Sequence, residues 1–288
     1  MSDLNSSSEF TVSSVLRCAW EVLWKRPMFF FGIALIINTI FAIFIAIFSK
    51  YVAIFSKYVR VVHGAYGVPD LIFHNDAKYL LLFILLCSII YLIIFAIYQC
   101  AITYAAFSLL MDSWISVPDS FKQYASRIPS VILGIVIFHI TILLTIFVSS
   151  FVAIPLFLFF SKIISPEIIS IVPITFVILL IINWFVFIPA CMIEQVGATK
   201  SLSRSVELTK GYRMKTLCIV LLMFLVTYLF NDIAFAIFVF LFESEFIALV
   251  FFVLFSSIAG AYIWLLPAIT YYKLRVAKEN FTLDSLVE

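Results

Sequence analysis

Six long apolar runs each carry one polar side chain nine to twelve positions from their start: Asn38, Ser88, His139, Asn183, Thr227 and Ser256. Placed at equal depth, these groups could do one of two things. They could hydrogen-bond between helices, commonly for ~0.6 kcal/mol per contact, or they could line a polar path or binding pocket, where an intramembrane histidine is the rarest and most telling member. Asp232 is the only acid well inside an apolar run, and water with local thinning of the bilayer could hold it without any function. His63 and His74 share a segment with Asp70 and Asp76, but their separation fits no metal-ligand motif. Only seven glycines occur, with no phosphate-cradling loop, no Gly-x-Ser-x-Gly elbow and no paired carboxylates within one run. No catalytic, cofactor or metal residues are therefore expected. An enzyme is the least supported class, and an unrecognised membrane enzyme stays open as a third reading.

The elements that would position these groups follow from composition. At 65% hydrophobic, 12% charged and a mean hydropathy of +1.21, the chain lies far from the ~45–50% apolar, ~25% charged soluble average. Runs of 20 residues or more without apolar/polar alternation match helices crossing a ~30 Å hydrocarbon core and exclude a barrel. The expected fold is all-α, a polytopic integral membrane protein with six transmembrane helices at about 28–48, 79–100, 130–154, 171–192, 216–242 and 246–272. Residues 1–10 form a polar tail, and 11–288 form one membrane domain.

Amphipathic lead-in helices complete this scheme. Val12, Val15, Leu16, Ala19, Val22 and Leu23 share one helical face ahead of Pro27. The tandem copy Ile47–Val52 and Ile54–Val59 is expected to lengthen the first span at its outer interface, because a seven-residue insertion turns a helix by only ~20°. Between Asp112 and Arg127 a polar connector contains a short helix from Phe121. The second apolar run, continuing to Met111, is longer than a bilayer needs and implies tilt or protrusion.

Of the 18 lysines and arginines, 13 fall on the side that also holds both termini. By the positive-inside rule that side is cytoplasmic. The N-terminus lacks a basic region and a cleavage site, so no signal peptide is expected to be cut. A net charge of +2 gives no reason to expect nucleic acid, and five cysteines without a Cys-x-x-Cys pair are expected to be free thiols.

The most charge-dense window runs from Pro189 to Arg213. Pro189 should break the end of span four, Gly197 should release the chain, and a helix at about 199–210 should carry Leu202, Val206 and Thr209 on one face. Glu207 lies three residues from both Arg204 and Lys210, and Gly211 reads as a helix stop. Pro189, Glu194, Gly197, Ser201-Leu202, Arg204-Ser205, Leu208-Thr209-Lys210-Gly211 and Arg213 resemble the core of the membrane domain attached to some glycerophosphoryl diester phosphodiesterases, also found as stand-alone six-helix bacterial inner-membrane proteins. The resemblance implies six helices and residence in the bacterial inner (cytoplasmic) membrane. The phosphodiesterase barrel itself, with its His-Arg-Gly and Glu-Asn-Thr metal site, has no counterpart in this chain.

Two uses of the window are open. It could simply orient the chain by its charge, or Lys200, Arg204, Lys210, Arg213 and Lys215 could dock anionic lipid headgroups or a membrane or cytoplasmic protein partner. The expected function is a non-enzymatic scaffold or accessory subunit presenting basic cytoplasmic helices. The alternative is a small transporter or lipid-handling pore using the mid-depth polar layer, with His139 and Asp232 as its ionisable groups.

Overall fold

A computed structural model describes residues 10–56, 59–63, 69–73, 77–111, 124–160, 166–242 and 244–282. The helices are α1 (Val12–Lys25), α2 (Pro27–Ser56), α3 (Ala77–Leu110), α4 (Ile128–Phe160), α5 (Pro166–Asn183), α6 (Phe187–Ile193), α7 (Ala198–Thr209), α8 (Arg213–Tyr228), α9 (Ala234–Phe242), α10 (Glu245–Ile263) and α11 (Leu266–Glu279). A π-helical turn, Leu229–Ile233, joins α8 to α9. The described residues also include a two-stranded antiparallel ribbon, β1 (Val59–His63) with β2 (Pro69–Phe73).

Length and apolarity make five stretches able to cross a membrane: Pro27–Phe44, Leu85–Leu110, Ile128–Phe151, Pro173–Ile193 and Phe246–Glu279. A sixth arises only by joining α7 to α8, which meet at 108°. Since α7 carries Lys200, Arg204 and Glu207, the more apolar continuation is the unbroken helical run from Arg213 to Phe242, whose π turn splits it into halves of 16 and 9 residues. At 1.5 Å per residue, the 34-residue α3 is about 51 Å long and outruns a ~30 Å core.

Packing between the long helices follows chain order and closes on itself: α2 on α3, α3 on α4, α4 on α5, α5 on α8, and α8 and α9 on α10, which returns to α2. At one end of this ring lie α1, α6, α7 and α11, together with most of the described charges. The main buried cluster sits there, joining Phe10, Val15, Ala19 and Val22 to Phe107, Leu208, Leu266 and Tyr271.

α1 is fixed at both ends. Thr11 accepts from Ser14 N at 3.2 Å while its own N–H reaches Ser14 Oγ at 3.3 Å, a reciprocal cap for two orphan donors. Its buried face is Val15, Cys18, Ala19 and Val22, with Val12, Leu16 and Leu23 packed at the edge. Lys25 Nζ donates to Leu109 O at 2.8 Å, filling one of the carbonyls that the end of α3 leaves open. Tyr262 Oη donates to Leu16 O at 3.0 Å and Lys215 Nζ to Phe10 O at 2.7 Å.

Several sequence expectations shift. The tandem copy continues α2 as far as Ser56, and the chain then turns into the ribbon. Lys57, His74, Asp76 and most of the 112–127 connector lie outside the described residues. The helix of span four breaks six residues before Pro189, although the apolar span itself continues through Pro189 to Ile193. A proline ring clashes with the carbonyl four residues back, so the helix stops at Asn183, turns through residues 184–186, and restarts with Pro189 in the first turn of α6. The same effect at Pro267 ends α10 at Ile263. Asn183 thus ends α5 while staying near the middle of the Pro173–Ile193 span.

Candidate functional site

The charged end is organised around Arg204. Its Nε lies 2.8 and 3.0 Å from the two carboxylate oxygens of Glu194, Nη1 lies 3.1 Å from Glu207, and Nη2 pairs with Glu279. A guanidinium suits this role because its rigid fork presents five donors in one plane, where an ammonium could not reach three carboxylates at once. From α11, Tyr271 Oη donates to Glu194 at 2.9 Å, Arg275 Nε binds Glu279 at 2.9 Å, and Lys278 Nζ donates to Glu207 O at 2.6 Å. Arg275 also lies 3.8 Å over the Phe281 ring. Burial alone would lower the pKa of Arg204, but the hydrogen bonds and charges of Glu194, Glu279 and Glu207 win and hold it above its ordinary value.

Backbone stitching makes this network rigid. Ser205, fully buried, donates from Oγ to Asn183 O at 2.8 Å and accepts from Val186 N at 3.2 Å. One hydroxyl thus satisfies a carbonyl and an N–H on either side of the α5/α6 break. Beyond α6 the chain reverses at Gln195, whose φ of 53° is a left-handed conformation costly for a side chain with Cβ. Arg127 holds it there, donating to Gln195 O and Oε1, both at 2.9 Å. Gly197 then precedes α7 as its N-cap with an ordinary φ of −70°, and Gly211 ends the next turn at φ 90°, a value glycine tolerates.

Of the five cations that the sequence grouped for docking, two are committed internally. Arg204 is 23% exposed and bound to three acids, and Lys215 holds Phe10 O. Glu194 and Glu207 are likewise paired with Arg204, although the Glu207 side chain stays 71% exposed. Lys200, Lys210 and Arg213 remain exposed, with no hydrogen bond or ion pair to the described residues. Next to Arg213, Met214 is 72% exposed, and Trp20 and Trp24 of α1 are also more than half exposed.

The mid-depth residues divide. Asn38, Thr227 and Ser256 line one interior chamber of about 240 Å³ between α2, α3, α8 and α10. Asn38 Nδ2 donates to Ser257 Oγ at 3.2 Å across the α2/α10 interface, and Thr227 Oγ1 donates to Met223 O at 2.7 Å. His139 is exposed on α4, its Nδ1 donating to Ile135 O at 2.7 Å, and it lies outside the chamber, as do Ser88 and Asn183. Asp232 falls in the π turn, and its side chain lies outside what is described.

Sequence reasoning overlooked Tyr271, Arg275 and Glu279, although Arg275 and Glu279 stand four apart on α11, a spacing that signals an ion pair. Ser201 and Leu208, named within the resemblance but not on the expected face, also lie on the buried face of α7. Among the described residues no group of three or more histidine, cysteine, aspartate or glutamate side chains could hold a metal. Compared with protein-family models, curated proteins and solved structures, the chain matches none.

Proposed function

We propose that the chain is a non-enzymatic scaffold of the bacterial inner membrane, crossing it six times with both termini cytoplasmic, whose charged end binds anionic lipid headgroups. The supporting observation is the exposed Met214 between Arg213 and Lys215, at the point where the apolar run of α8 begins. An apolar side chain flanked by basic ones fits the boundary between hydrocarbon and headgroups, where each nearby Lys or Arg contributes about 1 kcal/mol of attraction to an anionic leaflet. Lys200 and Lys210 extend that positive surface along α7, while the Arg204 network ties α7 to the end of α6 and to α11. The resemblance of Pro189 to Arg213 to the membrane domain of glycerophosphoryl diester phosphodiesterases is consistent with this reading.

The test is reconstitution into nanodiscs containing spin-labelled phosphatidylglycerol or phosphatidylcholine. Wild type should hold phosphatidylglycerol preferentially at its boundary, and the triple variant K200E/K210E/R213E should lose that preference. An unchanged preference overturns the reading, and retention of an acidic protein by wild type but not by the variant, with no lipid preference in either, would replace lipid by a protein partner. For orientation, cysteines introduced at Lys200 and Arg213 should react with an impermeant maleimide only after the cytoplasmic face is opened.

A second reading, a small transporter or lipid-handling pore, draws on the chamber that gathers Asn38, Thr227 and Ser256. Of its ionisable candidates, His139 lies outside the chamber and the Asp232 side chain lies outside what is described, so the lining that is described is neutral. Loss of a transport phenotype in an Asn38→Ala/Ser256→Ala variant at normal expression would favour it over the scaffold.

A further inference from the structure

We infer that the chamber between α2, α3, α8 and α10 is a binding site for a small, uncharged, ring-containing molecule that carries a hydroxyl group. This inference stands independently of the scaffold reading, because it concerns the interior of the ring and none of the basic residues.

Three observations define the ligand. First, among the described residues no charged side chain lines the chamber of about 240 Å³, so these walls offer an entering ion little to replace its hydration. Second, its walls are aromatic. Tyr91 stacks on Phe95 with ring centroids 6.1 Å apart, Phe95 meets the edge of Trp264 at 5.4 Å, and Phe41 and Phe252 also contribute. Flat rings inserted among these side chains gain offset or edge-to-face contacts.

The third observation fixes the polar group. Tyr98 lines the chamber at only 2% exposure, in T-shaped contact with Trp264, and its hydroxyl has no hydrogen-bond partner among the described residues. The enclosed polar atoms without partners lie elsewhere, on Gln99, Asn183 and Thr270, so the Tyr98 hydroxyl faces open space and is free to bond a guest. Across the same chamber, Asn38 uses its Nδ2 on Ser257, leaving Oδ1 with no partner among the described residues. An unfilled donor and an unfilled acceptor in one aromatic chamber match a ligand hydroxyl, which can accept from Tyr98 and donate to Asn38. Such a site is largely apolar with a few polar groups that set orientation, the usual composition of a small-molecule pocket.

The experiment uses the full chain in nanodiscs and equilibrium dialysis against protein-free nanodiscs, with 2-naphthol, naphthalene and 2-naphthalenesulfonate as probes. 2-Naphthol should bind saturably at one per chain and more tightly than naphthalene, and the sulfonate should not bind saturably. Tyr98→Phe removes only an unpaired hydroxyl and should leave folding intact. It should weaken 2-naphthol about fivefold, the factor set by one hydrogen bond of ~1 kcal/mol, and leave naphthalene unchanged. Gly260→Ala adds a methyl at an ordinary 3.5 Å from Asn38 Nδ2 inside the chamber, and should weaken both neutral probes. Uptake that rises linearly and equally with and without protein overturns the inference. So does equal binding of 2-naphthol by wild type and Tyr98→Phe, or saturable binding of the sulfonate.

Discussion

Arg204 and Glu194 face each other at 2.8 Å, ten residues apart, across the left-handed turn at Gln195. Both side chains are less than a quarter exposed, so the pair lies between the surface case, worth 0–1 kcal/mol, and the fully buried one, where removing a partner costs about 3–5 kcal/mol. Arg204→Ala should therefore cost about 2 kcal/mol and lower Tm in detergent by about 5 °C. Arg204→Lys should recover less than half of that loss, because an ammonium cannot serve Glu194, Glu207 and Glu279 together. Differential scanning fluorimetry on the three proteins tests both statements, and full rescue by lysine would mean that charge alone matters here.

Ser205→Ala should be as damaging as the loss of Arg204, although it deletes a single oxygen. It strands the Asn183 carbonyl and the Val186 N–H in a buried position, and each unsatisfied group costs about 1–3 kcal/mol. Ser205→Thr keeps the oxygen and should be the milder change. Thermal melts of the pair in the same detergent would separate hydroxyl chemistry from packing.

Gly134 and Gly260 should respond in opposite ways to alanine. A Cβ at Gly134 would sit 2.9 Å from Phe187 Cε2, closer than real Cβ contacts come, whereas at Gly260 the nearest atom is 3.5 Å away. Gly134→Ala should destabilise by about 1–3 kcal/mol, as overpacking generally does, while Gly260→Ala should change stability by less than about 0.5 kcal/mol. Adding Phe187→Leu to Gly134→Ala should recover part of the loss, and a double-mutant cycle would read that coupling.

Cys18 should resist alkylation in the folded chain. Burial against α11 pushes its thiol up to about 11, the nearby Lys273 offsetting only part of the effect, so little thiolate exists at neutral pH. Reaction with N-ethylmaleimide at pH 7.5 should be slow until the chain is unfolded. Rapid labelling would mean that α1 leaves its seat.

The parts of this architecture that are local were legible in the residues. The apolar face of α1 follows from a 3.6-residue period, and α7 is framed by Gly197 and Gly211 close to where the spacing puts it. What escaped is the action of residues at a distance. Pro189 and Pro267 end helices upstream of themselves, so Asn183 lands at a helix terminus inside its span. Glu194 finds Tyr271 77 residues away and Arg204 finds Glu279 75 residues away, partnerships that no single window contains. The docking cluster shrank for the same reason, since Arg204 and Lys215 have internal partners that their neighbours in sequence do not reveal.

α1 is held by helices that follow it far along the chain. α1 takes its place through Lys215, 205 residues beyond Phe10, and Tyr262, 246 residues beyond Leu16. Chains emerge from the N-terminus, so the seat that α1 finds against α3 is completed only after α8 and α10 have been made. A chain halted before Lys215 would therefore expose part of an amphipathic stripe to quality control.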